Sequence, residues 1–435
     1  MDTVAKIQVL ANAVASVMTA AAGGAAPTLA QLQALGVSGV SADNLPAVVS
    51  AIEKTNDDGS EVSSAAQLQA VASQAITAAN AALQVIRDYA QANSGTVPTL
   101  SHYTQAGVSG VSADNLASVN DALASTSVQG ASVDTTPKVQ ALVNAYKAIL
   151  ALADGVDNTA TASNPVAMQY ELIGVTGVNN AAKASLLGDA IDGKAAAAVG
   201  TVPQIQTLAN AVAAVMSGAA DGPAPTLAQL LALGVSGVTS DNLKAVQDKI
   251  ASTANDGSGV DTLVELQNVV NSAQNGAQAA LNVIRAYAQN NGGTAPTEED
   301  YVNAGVTGVT ADNIVRINSA LASPAVVGLN VDTSAKVQAL VNASQAIFGL
   351  ADGENNTATA DNPGMGAYGL IGVTGVDSAV KASLLGDVLD TQAATAVPTV
   401  VEVQLLANAV GAVVATAALS NAGAGTALTL SLIHI

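Results

Sequence analysis

The chain has 435 residues with 33 acidic and 13 basic side chains, a formal net charge of −20 and no cysteine, which excludes disulfide scaffolds, thiolate metal sites and cysteine nucleophiles. The acidic balance also argues against nucleic acid or an anionic membrane surface as a partner, because both repel a negatively charged protein. Half of the residues are apolar but only 2% are aromatic, so a folded core has to be built from alanine, valine, leucine and isoleucine, and alanine is the strongest helix former.

The N-terminal residues already belong to an internal repeat. Residues 10–18 (LANAVASVM) recur at 208–216 (LANAVAAVM) and, more loosely, from 406. We interpret 1–25 as the last helix of a partial module, so that any export signal would lie upstream of it. The apolar windows at 9–26 and 406–419 approach the length of a membrane span. Because polar Asn12 and Asn408 recur within them, we expect helices buried in a bundle and no membrane insertion.

The first complete module, 26–95, begins with proline. Pro27 precedes Thr28, and Thr28 with Gln31 has the spacing of a capping box, which predicts a short helix. The phrase Gly-Val-Ser-Gly-Val at 36–40, called here the connector, should end that helix. Glycine readily adopts the left-handed conformation found just beyond helix C-termini. The connector valines are expected to point into the bundle.

Two further helices complete the predicted module. The next helix should open at Ser41 or Asp43, where short polar side chains cap the N-terminus and the carboxylate complements the helix dipole. A long helix is then predicted from Ser64 to Gln91, because apolar residues recur there at steps of three and four. No useful stretch alternates with period two, so a sheet is not expected.

The connector occurs six times, with Ser or Thr in its centre, at intervals of 71, 67, 60, 71 and 67 residues. A proline lies nine residues before each copy, and an aspartate follows in the first two module types. The third type has Asn164-Pro165 and Asn362-Pro363 instead of Pro-Thr, which predicts an asparagine cap with proline in the first helical turn. The proposed structural signature comprises Pro27, Gly36, Gly39, Asp43, Pro98, Gly107, Gly110, Asp114, Pro165, Gly174, Gly177, Pro225, Gly234, Gly237, Asp241, Pro296, Gly305, Gly308, Asp312, Pro363, Gly372 and Gly375.

A fixed internal period determines the architecture of a repeat protein. Matches extending beyond the connector recur at 198 residues. We therefore predict an all-α fold, a tandem array of small Ala-rich three-helix modules in two 198-residue super-repeats of three modules each, plus a partial copy. The predicted segments are 1–25, 26–95, 96–162, 163–223, 224–293, 294–360, 361–420 and 421–435.

The last predicted segment, 421–435, falls out of register with the earlier copies. Its final residues, LSLIHI, resemble the translation of a sequencing-library adapter. We interpret this tail as an artefact at the end of an incomplete metagenomic gene.

Residues suited to catalysis are scarce. The only histidines are His102 and His434, and the residue 198 positions after His102 is Asp300. A histidine that differs between two copies of its own repeat is expected to be a surface helix residue rather than an acid-base catalyst. We find no zinc-protease, dinucleotide or phosphate-loop motif, and we predict no enzyme activity, no catalytic residue, no metal site and no cofactor.

Calcium binding is left open as a weak property of the Asp-Gly turns. These turns lie at 57–59, 154–157, 256–257 and 352–353. They lack the spacing of an EF-hand loop, and Asp157 is replaced by Asn355 in the second copy. We interpret them mainly as turns that end helices. Ice binding is not expected, because the threonines cluster at caps and loops rather than at a regular helical interval.

The repeat style carries a resemblance. The phrases GVSGVSADNL, GVTGVTADNI and LIGVTGV, the Ala-rich helices, the acidity and the lack of cysteine resemble repetitive regions of very large Gram-negative bacterial surface adhesins of the RTX and biofilm-associated type. The resemblance covers the chain to about Leu419 and implies an extracellular, cell-surface location. A more distant similarity is to small helical modules of bacterial surface proteins, some of which bind host serum proteins. Neither resemblance transfers a functional residue.

The sequence is compatible with two functions from different classes. The first is a non-catalytic extender, or stalk, whose partners are the neighbouring repeats of the same chain. The second is a set of helical binding modules that recognise a host or environmental protein or glycan. Binding would require exposed anchors kept between copies. The candidate pairs are Tyr89/Tyr287 and Tyr103/Tyr301, whereas Tyr146 becomes Ser344. Partial burial at a helix contact explains both pairs equally well.

Overall fold

The computed structural model describes residues 3–156, 164–354 and 361–421. Within these ranges the secondary structure is helical, and a single isolated bridge between Asp154 and Ala195 is the extent of β pairing. The all-α prediction is therefore confirmed. His434, Asp157, Asn355 and all of the predicted tail after Asn421 lie outside the described residues.

The helices fall into three length classes that follow one another in a constant order. Short helices of six residues are α2 (Leu29–Ala34), α5 (Leu100–Gln105), α8 (Ala167–Leu172), α11 (Leu227–Ala232), α14 (Glu298–Asn303) and α17 (Met365–Leu370). Middle helices are α3 (Leu45–Ile52), α6 (Leu116–Leu123), α9 (Ala181–Asp192), α12 (Leu243–Ala251), α15 (Ile314–Leu321) and α18 (Ala379–Asp390).

Long helices make up the third class. They are α1 (Thr3–Ala21), α4 (Ala65–Ala92), α7 (Thr136–Leu152), α10 (Val202–Ala219), α13 (Leu263–Gln289), α16 (Ser334–Phe348) and α19 (Val400–Asn421). A turn of 3₁₀ helix precedes four of them, at Ser60–Val62, Gly130–Ser132, Ala196–Ala198 and Gly328–Val331.

Local sequence explains where these helices begin. Thr28 Oγ1 accepts a hydrogen bond from the Gln31 backbone N–H (3.3 Å), and Gln31 Oε1 accepts one from the Thr28 N–H (2.7 Å), which is the predicted capping box. The same pair of bonds recurs at Thr226 and Gln229. Helix α4 follows Ser64, whose hydroxyl accepts from the Gln67 N–H. Its predicted range therefore agrees with the observed one to within a residue at each end.

The interpretation of Asn164 and Asn362 as helix caps is wrong. Helix α8 begins at Ala167, and Asn164 Nδ2 instead donates to the Ser185 carbonyl (2.9 Å) and to Asp189 Oδ1 (2.7 Å) of α9. Asn362 makes the equivalent bonds to α18. Glycine provides the space, because a Cβ at Gly188 would lie 2.3 Å from Asn164 Cγ.

The chain divides into two compact units. The first comprises Met1–Gly234 and Ala254–Glu265, and the second comprises Val235–Thr253 and Leu266–Ile435. Inside the first unit, long helix α4 contacts α3 before it and α5 after it, α7 likewise contacts α6 and α8, and α10 contacts α9 and α11. In the second unit, α16 contacts α15 and α17. These long helices therefore belong to two successive packing groups at once.

The core is aliphatic, as its composition requires, but tyrosine contributes more than expected. One cluster in the first unit consists of alanine, valine, leucine and isoleucine side chains around α1 to α4. Of the seven tyrosines, five are among the largest fully buried side chains: Tyr103, Tyr146, Tyr170, Tyr301 and Tyr368. Tyr89 and Tyr287 are only partly buried. Full burial removes Tyr103 and Tyr301 from the candidate surface anchors.

Candidate functional site

The connectors provide the most regular geometry in the protein. All twelve of their glycines have positive φ, between 76° and 95°, a conformation that costs other residues about 1–2 kcal/mol. After the first glycine, the Val37 N–H donates to the Leu32 carbonyl (3.1 Å), which closes the C-terminus of α2 in a Schellman-type turn. Equivalent bonds form at Val108, Val175, Val306 and Val373. The predicted left-handed helix endings are therefore observed.

The connector valines pack inward, as expected. Ten of the twelve are buried, and Val111 and Val309 are partly buried. By contrast, the central Ser or Thr is exposed in every copy. Each connector therefore presents its polar centre to solvent and packs at least one valine fully into the core.

A glutamine from the following long helix binds the centre of every connector. The glutamine Oε1 accepts from the backbone N–H of the central Ser or Thr at 2.8–2.9 Å, and its Nε2 donates to the carbonyl of that same residue at 3.0–3.3 Å. We call this arrangement the glutamine clamp. Its six pairs are Gln69 with Ser38, Gln140 with Ser109, Gln206 with Thr176, Gln267 with Ser236, Gln338 with Thr307 and Gln404 with Thr374.

An asparagine, and not the predicted Asp43, organises the turn after the connector. Asn44 Oδ1 accepts from the Ser41 N–H (2.8 Å), and Asn44 Nδ2 donates to the Gly39 carbonyl (3.0 Å). Asp43 is exposed beside it. The asparagine bonds recur at Asn115, Asn242 and Asn313. An amide both donates and accepts, whereas a carboxylate only accepts, which explains why asparagine serves here.

The third repeat type satisfies the same carbonyl with lysine. Lys183 Nζ donates to the Gly177 carbonyl (3.1 Å), and Lys381 Nζ donates to the Gly375 carbonyl (3.2 Å). Asn180 Oδ1 separately caps α9 by accepting from the Lys183 N–H (2.9 Å). Different side chains therefore meet one requirement, a donor for the carbonyl of the second glycine.

Replacing Gln206 with glutamate should weaken the connector that it binds. The carboxylate would lose the Nε2 donor and face the Thr176 carbonyl, at an expected cost of about 1–2 kcal/mol. Gln8, 198 residues earlier, provides a matched control. It shares the bond to an asparagine four residues on (Gln8 to Asn12, 2.8 Å; Gln206 to Asn210, 2.9 Å), and among the described residues it has no hydrogen bond to a connector.

The two variants should be compared by thermal melting and by hydrogen exchange at residues 174–178. Gln8→Glu adds the same charge and should change stability by less than about 0.5 kcal/mol. Equal effects of the two substitutions would contradict a specific contribution of the clamp.

A buried hydrogen-bond network connects the short and middle helices of the second repeat type. The Tyr103 hydroxyl donates to Asn120 Oδ1 (2.6 Å), and Asn120 Nδ2 donates to the Pro98 carbonyl (2.8 Å). Tyr301, Asn318 and Pro296 repeat it at 2.6 and 2.9 Å. Burial raises the pKa of both tyrosines, so the hydroxyls remain protonated donors. This is a structural network with no solvent-facing reactive group.

His102 acts as a capping residue. Its Nδ1 accepts from the Thr99 backbone N–H at 3.0 Å, and Asp300 Oδ2 accepts from the Thr297 N–H at 2.8 Å in the other copy. Two different side chains therefore satisfy the same backbone donor. This accounts for the histidine in structural terms.

Three carboxyl groups lie together in the first unit. Asp189 Oδ2 accepts from the Leu263 N–H (2.9 Å), and Asp261 and Glu265 lie on either side of that residue in sequence. Burial raises the pKa of Asp261 to about 6, and its hydrogen bond with Glu265 and the charges of Glu265 and Asp189 act in the same direction. In the other copy these positions hold Ser63 and Gln67, whose side chains form a neutral hydrogen bond of 2.9 Å.

The variant Asp261→Ser/Glu265→Gln should remove a pH-dependent contribution to stability. A carboxyl whose pKa is raised on folding stabilises most below its unfolded pKa, and this contribution is lost as the pH rises through about 6. Above pH 6 the ionised form of Asp261 is disfavoured in the folded protein by burial and by the neighbouring charges, so the unmodified chain is less stable there. At pH 7.5 we therefore expect the variant to melt about 2–4 °C higher, the shift that about 1 kcal/mol produces in a protein of this size. The effect is this small because solvent screens a partly exposed pair.

Melting temperatures of both proteins should be measured from pH 4.5 to 7.5. The advantage of the variant should shrink towards pH 4.5. A constant difference between the two proteins across this range would show that Asp261 does not titrate as described.

The Asp-Gly turns are closed by their own carboxylates. Asp58 Oδ1 accepts from the Ser60 N–H (2.9 Å), and Asp154, Asp256 and Asp352 bind the N–H two residues on in the same way at 2.8–2.9 Å. These are Asx-type turns. Among the described residues, no group of three or more His, Asp or Glu side chains is placed to hold a metal ion. Weak calcium binding stays an untested prediction.

A shallow cleft recurs at equivalent places in the two units. In the first unit it has a volume of about 470 Å³ and is lined by Ser125, Gly174, Thr176 and Gln206, among others. In the second it has a volume of about 580 Å³ and is lined by the residues 198 positions later, Ser323, Gly372, Thr374 and Gln404. Asp121 lines the first cleft where Ser319 lines the second.

No protein-family model, curated protein or solved structure matches this chain. Two helices, Thr3–Ala21 and Val400–Ala418, are long and apolar enough to cross a membrane by length and composition, and each has 22% of its apolar window buried. Helix α10 shares much of their sequence and is packed on both sides within the first unit, by α9 and α11.

Proposed function

We propose that this chain is a non-catalytic structural extender, a tandem array of Ala-rich three-helix modules within a large secreted or surface-anchored bacterial adhesin. The observation that carries the proposal is the glutamine clamp, which recurs at all six connectors with nearly constant geometry. A protein selected for length needs one joint that can be repeated, and it needs no unique site.

The packing of the long helices supports this function. Helices α4, α7 and α16 each contact the middle helix before them and the short helix after them, within one unit. Load applied along the chain would therefore pass through helices that two successive groups share. We infer that stability is distributed along the array instead of being concentrated in one domain.

Single-molecule stretching tests the proposal. Repeats of 60 to 71 residues should release steps of at most roughly 200–250 Å each, the extended length of that many residues. Converting the six clamp glutamines to glutamate should lower the unfolding force. Extension without measurable resistance, or one event that releases the whole chain, would contradict a modular extender.

Ligand binding is a second candidate, favoured by the cleft that recurs in both units. The Ser, Thr and Gln side chains in each lining can exchange hydrogen bonds with hydroxyl-rich ligands such as glycans, and apolar side chains such as Val202 and Val400 lie beside them. A glycan array probed with the chain and with the variant Ala124→Trp/Ala322→Trp tests this candidate, because both alanines line the clefts. Binding that is lost in the variant would support ligand recognition by the clefts. Absence of binding by the unmodified chain would count against this second candidate and leave the extender as the proposed function.

A further inference from the structure

Helix α1 exposes an apolar face that its sequence counterpart buries. The exposed side chains, with their exposed fractions, are Val4 (71%), Ile7 (61%), Leu10 (43%) and Val14 (49%). Their counterparts in α10, 198 residues later, are Val202 (6%), Ile205 (0%), Leu208 (7%) and Val212 (0%). Nearly the same side chains are therefore exposed to solvent in α1 and covered by neighbouring helices in α10.

The cover on α10 is known from the first unit. Middle helices α9 and α6 contact α10, and Gln206 of α10 binds Thr176 in the connector that precedes α9. Val202 also donates its backbone N–H to Asp121 Oδ2 of α6 (2.6 Å). The cover thus includes the connector and middle helix of the third repeat type and the middle helix of the second type.

Helix α19 in the second unit is an independent case, because it buries the face that α1 exposes and exposes part of the face that α1 buries. Val400, Val403 and Val410 are exposed by 5%, 0% and 5%, and α19 contacts α18, the counterpart of α9. In contrast, Val413 is 45% exposed where Val17 of α1 is 2% exposed. The face that α1 exposes therefore corresponds to the face that a third-type repeat covers on both α10 and α19.

A polar pair within this face distinguishes the expected partner from lipid. Gln8 Nε2 donates to Asn12 Oδ1 (2.8 Å), and both side chains are exposed. The same pair occurs at Gln206–Asn210 and Gln404–Asn408, where each glutamine also binds a connector peptide group. Amide groups placed against hydrocarbon without partners are costly, whereas a connector would satisfy Gln8.

We propose that the exposed face of α1 is a docking surface for a further repeat of the third type. The partner is defined by its chemistry, a Gly-Val-Thr-Gly-Val connector followed by a helix with the sequence of α9, AAKASLLGDAID. This inference rests on the proposed array of repeats, but not on a cell-surface location or on a mechanical role.

The chain contains no cysteine, so single cysteines can report on the cover. Ile7→Cys and the matched control Ile205→Cys should be labelled with a small maleimide in the chain as it is. They should also be labelled in a fused chain that carries a second copy of residues 98–200 directly before Thr3. Thr3 then takes the place that Thr201 has in the first unit. In the unfused chain, Ile7→Cys should react at least tenfold faster than Ile205→Cys.

In the fused chain, labelling of Ile7→Cys should slow at least tenfold and approach that of Ile205→Cys. Fast labelling of Ile7→Cys there, with Ile205→Cys still slow, would overturn the proposal in a folded protein. Fast labelling at both sites would also count against it, because the added repeat is expected to dock without disturbing α10. The stretching experiment uses the unfused chain, so its outcome is separate.

Two further labelling experiments on the unfused chain test whether a second copy of the chain or a lipid surface covers the exposed face of α1. Slower labelling of Ile7→Cys at higher protein concentration would assign the face to a second copy. Slower labelling in the presence of phosphatidylcholine vesicles would assign it to lipid. Either result would overturn the proposal for a repeat, and labelling that is unaffected by both supports it.

Discussion

Replacing Gly107 with alanine should destabilise the first unit by about 3 kcal/mol or more, combining left-handed strain with a backbone collision. Gly107 has a φ of 76°, and a Cβ built there would lie 2.6 Å from the Ala47 nitrogen and 3.0 Å from the Pro46 carbonyl carbon. These backbone atoms belong to the first turn of α3. They cannot rotate away as a flexible side chain can, so α3 or the connector has to move.

Two glycines with the same conformation provide controls. Gly36 has a φ of 83°, and apart from its own residue and chain neighbours no atom lies within 4 Å of the place that a Cβ would occupy. At Gly305 the nearest such atom would be 3.5 Å away. Alanine at either position should show the conformational term alone, about 1–2 kcal/mol. Urea unfolding combined with hydrogen exchange in α3 would compare the three variants. Equal losses for Gly107→Ala and Gly36→Ala would show that the close approach to α3 has no energetic weight.

Replacing Tyr103 with phenylalanine should cost about 1–3 kcal/mol, the penalty for leaving a buried polar atom without a partner. The tyrosine hydroxyl is the donor to Asn120 Oδ1 at 2.6 Å, and Asn120 is 6% exposed. Removing the hydroxyl leaves this oxygen buried, while Asn120 still has to hold the Pro98 carbonyl. The segment before α5 should therefore exchange hydrogen faster in this variant.

Tyr170 offers the opposite case at the equivalent place in the third repeat type. It is fully buried, and its hydroxyl has no hydrogen-bond partner. Tyr170→Phe should be neutral or stabilising by up to about 1 kcal/mol, since it removes a desolvated group that gains nothing. Melting curves of the two variants would decide the matter. A loss at Tyr170→Phe as large as that at Tyr103→Phe would mean that ring packing, and not the hydrogen bond, explains both.

Much of the helical framework could be predicted because its signals are local. The capping box at Thr28 and Gln31 depends on residues three apart, and the left-handed glycines follow directly from the connector sequence. The range of α4 followed from apolar spacing, and the structure adds a cap at Ser64. In each case the deciding interactions lie within a few residues, where pattern and propensity are informative.

The interactions that organise the connectors were missed because they span longer distances. The clamp glutamine lies 30 or 31 residues after its partner. The nearly constant number of residues between the connector and this glutamine was the available signal. However, a glutamine on the polar face of a predicted helix cannot be told from one that only contacts solvent. Asn164 was misassigned for a similar reason, since its partners Ser185 and Asp189 lie on another helix. The proximity of Asp189 to Asp261 had no sequence signal at all.

The clamp has a practical consequence for protein engineering. Its principal bonds join a glutamine amide to backbone atoms, so the exposed central residue of each connector can be exchanged with little effect on that pairing. The six positions are Ser38, Ser109, Thr176, Ser236, Thr307 and Thr374. In a chain without native thiols, cysteine at any of them would give a single attachment point for a dye, a bead or a surface. The protein thus offers six equivalent attachment sites at known positions in its sequence.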